Sequence, residues 1–354
     1  MAARLLHTAI QAIFTEQIPN AGKRLQVENK IAMKAILLYK SCSPEELKIS
    51  EVQVPEVKPR WVLIKVKAFG LNRSELMMRA YEADAPYIKL PVIPGIECAG
   101  EIADPFDSNF IKGQRVVALM GGMGRSFDGS YAEYTLVPSK NVFKVESTLG
   151  WEELAAIPET YFTAYGSLFD SLQLKPEDTL LIRGGTSALG LSAIQLVKSV
   201  GGTVIVSTRN ENKRDLLLSQ GTDNVLIDNG TIIEQLFKLH PKGVNKVLEL
   251  IGPSTLLESA RLVKHHGIIC STGVLVGKKM LNNFDPIKDL PSGVCLTGFF
   301  SNYPTQAIIN EIFEHLNKHK LRPIISKVFS LDEIGQAHAL MENNTANGKV
   351  VVSI

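Results

Sequence analysis

The sequence predicts a two-domain α/β protein, a doubly wound parallel-sheet domain beside a β-rich one. Three observations carry this. Between about 157 and 300, short apolar runs at 179–183, 203–207, 224–227, 246–250, 267–271 and 294–299 alternate with helical stretches, the pattern of a parallel sheet covered on both faces. Upstream, 61–69, 97–103, 114–119 and 131–137 read as short strands bounded by Gly, Pro and Asp. Finally, 179–209 runs through strand, glycine turn, helix, glycine stop and second strand in close succession.

That last unit is the most specific. Leu180, Leu181 and Ile182 lack polar alternation, as expected of a strand buried on both faces. Gly184 and Gly185 follow, where backbone must come close to a ligand. Leu189, Ala193, Leu196, Val197 and Val200 recur at helical spacing, so a helix starts near Ala188 and its N-terminal N–H groups face the turn. An anionic pyrophosphate suits that position. Gly201 and Gly202 stop the helix before the strand that ends in Ser207, Thr208 and Arg209. The fingerprint is a Rossmann one with a substitution, Gly185, Ser187 and Gly190, serine standing at the middle glycine. Gly184, Gly185, Thr186, Ser187, Ala188, Leu189 and Gly190 are the candidate phosphate contacts.

The end of the second strand selects the cofactor. An NAD site places Asp or Glu about 20 residues beyond the first glycine, whereas an NADP site has small and basic residues there. Here stand Ser207, Thr208 and Arg209, with Lys213 a helical turn further on. A guanidinium can fork onto a 2′-phosphate and the hydroxyls can donate to it, so NADPH is expected. Arg209 and Lys213 would equally begin a solvated helix in a site without that phosphate.

Composition excludes other classes. The chain has 354 residues and a formal net charge of +2, with both signs interspersed, so nucleic acid is not an expected partner. The four cysteines, Cys42, Cys98, Cys270 and Cys295, form no paired motif, which suits a reducing compartment. No apolar run approaches the roughly 18 residues of a membrane span. Residues 1–32 read as an extension. Leu5, Leu6, Ala9, Ile10, Ile13 and Phe14 could line an amphipathic helix resembling an organellar presequence, but Glu16, Glu28 and the lack of serine argue against one. A cytoplasmic protein with a dispensable extension is the expectation. Downstream, helix 305–319, strand 324–329, helix 331–342 and strand 349–354 follow, the last returning to the first domain. The expected plan is therefore 33–156 completed by 301–354, with 157–300 binding the cofactor.

Residues 33–354 resemble the medium-chain dehydrogenase/reductase superfamily, and within it the zinc-free quinone oxidoreductase branch related to zeta-crystallin. The matching segments are Gly70-Leu71-Asn72-Arg73-Ser74-Glu75, Pro91-Val92-Ile93-Pro94-Gly95-Ile96-Glu97, Gly129-Ser130-Tyr131-Ala132-Glu133-Tyr134, Thr163-Ala164-Tyr165, the glycine loop, and the C-terminal Phe329-Ser330-Leu331-Asp332-Glu333-Ile334 with Gly348-Lys349-Val350-Val351-Val352. The resemblance implies a GroES-like catalytic domain beside the Rossmann domain, and a homodimer, with the strand near 294–299 a candidate edge.

Matching the zinc-dependent relatives residue by residue puts Asn72 at the first cysteine ligand, Ile96 at the histidine and Glu159 near the second cysteine. Neither Asn nor Ile is a good zinc ligand, so no metal is expected. His315 with His319 read as a solvated helix face, and His265-His266 as a turn. Without zinc, hydride transfer from NADPH to a quinone or α,β-unsaturated carbonyl is the expected reaction, since such acceptors need mainly orientation. By resemblance Asn72 projects into the cleft with Glu75 one turn along a short helix, and Thr163 contacts the cofactor; Asn72 would serve equally as a capping residue. Tyr81, near Tyr87, is a candidate proton donor, and each would equally be a surface aromatic. Gly273, Val274 and Phe299 would border the nicotinamide, or be strand-end turns. Two other functions stay open. One is an enoyl-thioester reductase, for which Arg73, Arg79 and Lys89 are suggestive; the other is a non-catalytic NADPH-binding protein.

Overall fold

The computed structural model describes residues 31–277 and 280–354. The reading of 1–32 as an extension falls almost wholly outside the described residues. The chain opens with strands β1 (Ala32–Ile36), β2 (Ile49–Gln53) and β3 (Trp61–Gly70), helix α1 (Arg73–Ala80), and strands β4 (Glu97–Asp104), β5 (Arg115–Leu119), β6 (Tyr134–Pro138) and β7 (Val142–Lys144). Helices α2 (Trp151–Ala155) and α3 (Pro158–Tyr165) lead into β8 (Thr179–Arg183), α4 (Ala188–Ser199), β9 (Thr203–Thr208), α5 (Arg214–Ser219), β10 (Asn224–Ile227), α6 (Ile232–Leu239), β11 (Val244–Glu249), α7 (Pro253–Arg261), β12 (Val263–Ser271) and β13 (Cys295–Gly298). The chain closes with α8 (Gln306–His319), β14 (Ile325–Ser330), α9 (Ile334–Glu342) and β15 (Lys349–Ser353).

Six strands form an all-parallel sheet in the order β10-β9-β8-β11-β12-β13. This is the doubly wound Rossmann order, with its switch point between β8 and β11, where ligands bind beyond the strand ends. The expected fold class is therefore the observed one. The missing polar alternation is explained by two-sided burial: Leu180 and Ile182 enter one apolar cluster, while Leu181, Ile205 and Ile269 enter another on the opposite face. Ile205→Val, which removes one methylene at a fully buried position, is expected to cost about 0.5–1.5 kcal/mol in urea unfolding.

The first large sheet in chain order has seven strands, β14-β15-β3-β4-β5-β7 with β6 also on β3, and is antiparallel apart from the β14–β15 pair. β15 lies antiparallel to β3, pairing Val351 with Gly70, so the C-terminus does return to the first sheet. That return sets Lys349 beside the start of α1. β2, a short polar-alternating strand on the edge of a two-stranded ribbon with β1, escapes sequence reading because its inward residues are only half-buried.

Two local readings are corrected. His265 and His266 lie within β12 and not in a turn; His266 has a φ of 65° at an irregularity of the ladder, and His265 Nδ1 lies 3.0 Å from the Ser292 carbonyl oxygen. His315 is no solvated side chain. It is half-buried, edge-on to Tyr165 and 2.7 Å from Ser199 Oγ, and burial holds its pKa below the usual value.

Candidate active site

The strand ends of the parallel sheet and the first sheet enclose a cavity of about 1210 Å³. At one end stands the glycine turn. Gly184, at φ 84°, has the left-handed conformation that glycine adopts freely. Ser187, in place of the usual glycine, caps α4: its Oγ accepts from Gly190 N at 3.0 Å and donates to the Gly184 carbonyl at 2.9 Å. Substituting serine thus exchanges close backbone approach for a helix cap. Ala188 and Leu189 begin the helix and line the cavity, and first-turn N–H groups have no intrahelical acceptor. Gly185 and Gly190 do not line it. A Cβ on Gly190 would come within 2.6 Å of Gly185 Cα, and one on Gly185 would strike Val206, so these glycines set the helix against the sheet from behind the wall.

Ser207, Thr208, Arg209 and Lys213 line the same end. Ser207 Oγ is buried without a hydrogen-bond partner among the described residues, and Arg209 is exposed and likewise unpartnered. Thr208 is differently employed. Its Oγ1 accepts from Asn210 N at 3.2 Å, shaping the turn after β9. Lys213 Nζ donates to the Asn344 carbonyl at 3.3 Å. An orphaned hydroxyl, a free guanidinium and open helix amides are the donor set that a dinucleotide phosphate requires, so these residues fit a bound nicotinamide dinucleotide.

Asp228 also lines this end and escaped sequence reading. Its carboxylate is 2.7 Å from Arg183 Nη2, and Arg183, wholly buried, also contacts Glu258 and Ser259. The legible signal was an Asp directly after the apolar run 224–227.

Asn72, Glu159, Thr163 and Phe299 line the other end, together with Ile96 and Met120. Asn72 is the N-cap of α1, so both readings of it meet in one residue. Its Nδ2 donates to Glu97 Oε1 at 2.8 Å, and its Oδ1 accepts from Lys349 Nζ at 2.6 Å. Lys349 Nζ also contacts Glu97 Oε1 at 2.6 Å and Thr160 Oγ1 at 2.9 Å, with both charged side chains almost completely buried. Thr163 Oγ1 donates to Glu159 Oε1 at 2.9 Å. Gly273 and Val274 border the middle of the cavity. A Cβ on Gly273 would meet the Leu250 carbonyl oxygen at 2.0 Å, so glycine is needed there for backbone packing behind the wall.

Glu75 and Tyr81 are not brought to the wall. Glu75 points inward, where Oε2 accepts from Asn72 N at 3.1 Å and Oε1 from Ile96 N at 3.2 Å. Burial first, then the neighbouring Glu97, pushes its carboxyl up to about 7. The residue ties the start of α1 to the bend that leads into β4. Tyr81 ends α1 with its ring about half exposed, and Tyr87 donates to Glu82 at 3.0 Å on the outside.

The residues do not fit zinc. Among the described residues no group of three His, Cys, Asp or Glu side chains is placed to hold a metal. Ile96 has no donor atom, and the Asn72 carbonyl already accepts from an ammonium, a fixed positive charge that would repel a second cation.

Residues 58–147 match the alcohol dehydrogenase GroES-like domain family, and 220–352 match the zinc-binding dehydrogenase family. The chain belongs to the medium-chain dehydrogenase/reductase superfamily. The members of this superfamily are nicotinamide-dependent oxidoreductases. The chain is similar to the quinone oxidoreductase of Sus scrofa, with 27% identity over 90% of this chain and 97% of that protein. It is 27% identical to the synaptic vesicle membrane protein VAT-1 homolog of Danio rerio, over 94% of this chain and 72% of that one. In fold it is similar to a mycobacterial protein complexed with NADPH, at a TM-score of 0.79 and 24% identity, covering 91% of this chain and all of the other. The branch expectation agrees with the first of these relatives.

Proposed function

We propose that this superfamily member transfers a hydride from NADPH to a quinone or an α,β-unsaturated carbonyl without a metal. The observation that carries the choice of cofactor is the end of β9: free Arg209 and unpartnered Ser207 on the cavity wall, while the carboxylate that lines this end, Asp228, is paired with Arg183, which offsets its repulsion of a 2′-phosphate. Bound there, the reduced nicotinamide supplies a hydride. The glycine turn and the start of α4 would hold the diphosphate, and Gly273, Val274, Phe299 and Thr163 would border the ring. The apolar side chains Leu71, Ile96, Met120 and Met123 on the wall exclude water from the acceptor and favour a flat apolar ligand over a charged one. The similarity to quinone oxidoreductases supports the same acceptor class.

Of the basic residues that suggested a thioester substrate, only Arg73 reaches the wall. Arg79 is buried against His338 and Glu342, and Lys89 does not line the cavity. The enoyl-thioester reading is thereby weakened. We extend the proposal to a cytoplasmic homodimer paired along the free edge of β13, with 33–156 and 301–354 as the catalytic domain and 157–300 as the cofactor domain. Among the described residues no helix is long and apolar enough to cross a membrane.

Steady-state NADPH oxidation against quinones, enones and enoyl thioesters tests the reading. Turnover is expected with the first two groups and should survive chelation. Tight NADPH binding with no turnover of any acceptor would leave only a binding protein.

A further inference from the structure

Reduction of a quinone or enone needs a proton as well as a hydride, and Tyr81, the candidate donor from sequence, faces away. Among the carboxyl groups on the cavity wall, Glu82 is paired with Arg125 and Asp228 with Arg183. Glu159 differs. Its Oε1 accepts from Thr163 Oγ1 at 2.9 Å and from Ser301 Oγ at 2.7 Å, whereas Oε2 is buried with no hydrogen-bond partner among the described residues. Two ionisable groups face it from neighbouring strands, Glu97 of β4 and Lys349 of β15. Glu97 Oε2 accepts from Glu159 N at 2.7 Å, which puts a second carboxylate behind it. The Lys349 ammonium is already engaged by Glu97, Asn72 and Thr160. An ionised Glu159 would leave one buried oxygen without a donor. As a neutral acid it satisfies every constraint: Oε1 is the carbonyl that accepts two hydroxyls, and Oε2 carries a proton for which the protein offers no acceptor.

We propose that Glu159 is the acid that protonates the acceptor during its reduction. The inference rests on the oxidoreductase reading above. In the step, the acceptor gains a hydride from the reduced dinucleotide and thereby an electron pair on its oxygen. The Glu159 carboxyl, on the side chain that lines the cavity, turns its buried Oε2–H toward the acceptor; that O–H bond breaks as a new one forms on the acceptor oxygen, and the carboxylate then regains a proton from water. The sum is acceptor, reduced dinucleotide and one proton giving reduced acceptor and oxidised dinucleotide. Burial, opposed by the Ser301 hydroxyl and reinforced by Glu97, pushes the Glu159 carboxyl up to about 8, so the acid form prevails at neutral pH and is lost above it.

The test combines infrared spectroscopy of the cofactor-free protein with kinetics on 1,4-naphthoquinone. Wild type should show a protonated-carboxyl band that fades as pH rises through about 8, and Glu159→Gln should lack that component. The variant keeps an Oε1 acceptor for Thr163 and Ser301. It should bind NADPH as wild type does, lose on the order of 10²-fold in kcat, and lose the alkaline fall in rate. Glu159→Asp should recover part of the rate. A wild-type carboxyl that is ionised at neutral pH, or a glutamine variant that keeps rate and alkaline limb, overturns the assignment alone. Absence of turnover with every acceptor in wild type overturns the oxidoreductase reading and this assignment with it.

Discussion

Lys349→Met is expected to lower the unfolding free energy by about 3–5 kcal/mol. The Lys349 and Glu97 side chains are 2% and 0% exposed and lie 2.6 Å apart. Methionine fills much of the lysine stem's volume, so the loss is electrostatic. Glu97 would keep its bonds from Asn72 Nδ2 and the Glu159 amide but would lose the ammonium that compensates its charge. Leaving one member of a buried pair costs more than the pair contributes over an apolar substitute. For that reason Lys349→Met combined with Glu97→Gln should recover a large part of the loss. Urea unfolding of the four proteins of this cycle measures the coupling directly. A single-variant loss under about 1 kcal/mol would place the pair with ordinary surface bridges and refute the account.

Arg209→Ala is expected to weaken NADPH binding by about 1–3 kcal/mol, the range for a charge-assisted hydrogen bond, and to leave NADH binding unchanged. Arg209 is exposed at the end of β9 and has no protein partner among the described residues to lose, so the variant should be as stable as wild type. Fluorescence titration with both dinucleotides gives the answer. Equal losses would mean that the guanidinium reads the shared diphosphate and not the 2′-phosphate.

What the sequence showed and what it hid follow from range of interaction. The strand–turn–helix–strand unit at 179–209 was legible because its determinants are local: unbroken apolar runs, helical spacing and glycines at fixed offsets. Ser187 looked like a defect there. The structure makes it a cap, which is also a local role. Glu97, Lys349 and Arg183 were opaque because a charged residue in a strand gives no sign of its partner. Glu97 and Lys349 are 252 residues apart and meet only because β15 crosses back onto β3. Tyr81 was misleading for a simpler reason. One residue past the end of a short helix, small changes in turn geometry decide between cleft and solvent.

The apolar cluster that backs the cavity draws on both sheets: Ala68, Ala99 and Val117 from the first, Leu180, Ile182 and Val204 from the second, with Leu154, Ile157 and Tyr161 between them. The two halves of the described chain are therefore not modules joined by a tether. Cutting near 157 would strip the cover from one face of the parallel sheet and expose oily surface on both fragments. Recombination within this superfamily that swaps a nucleotide-binding half must bring its share of that seam along.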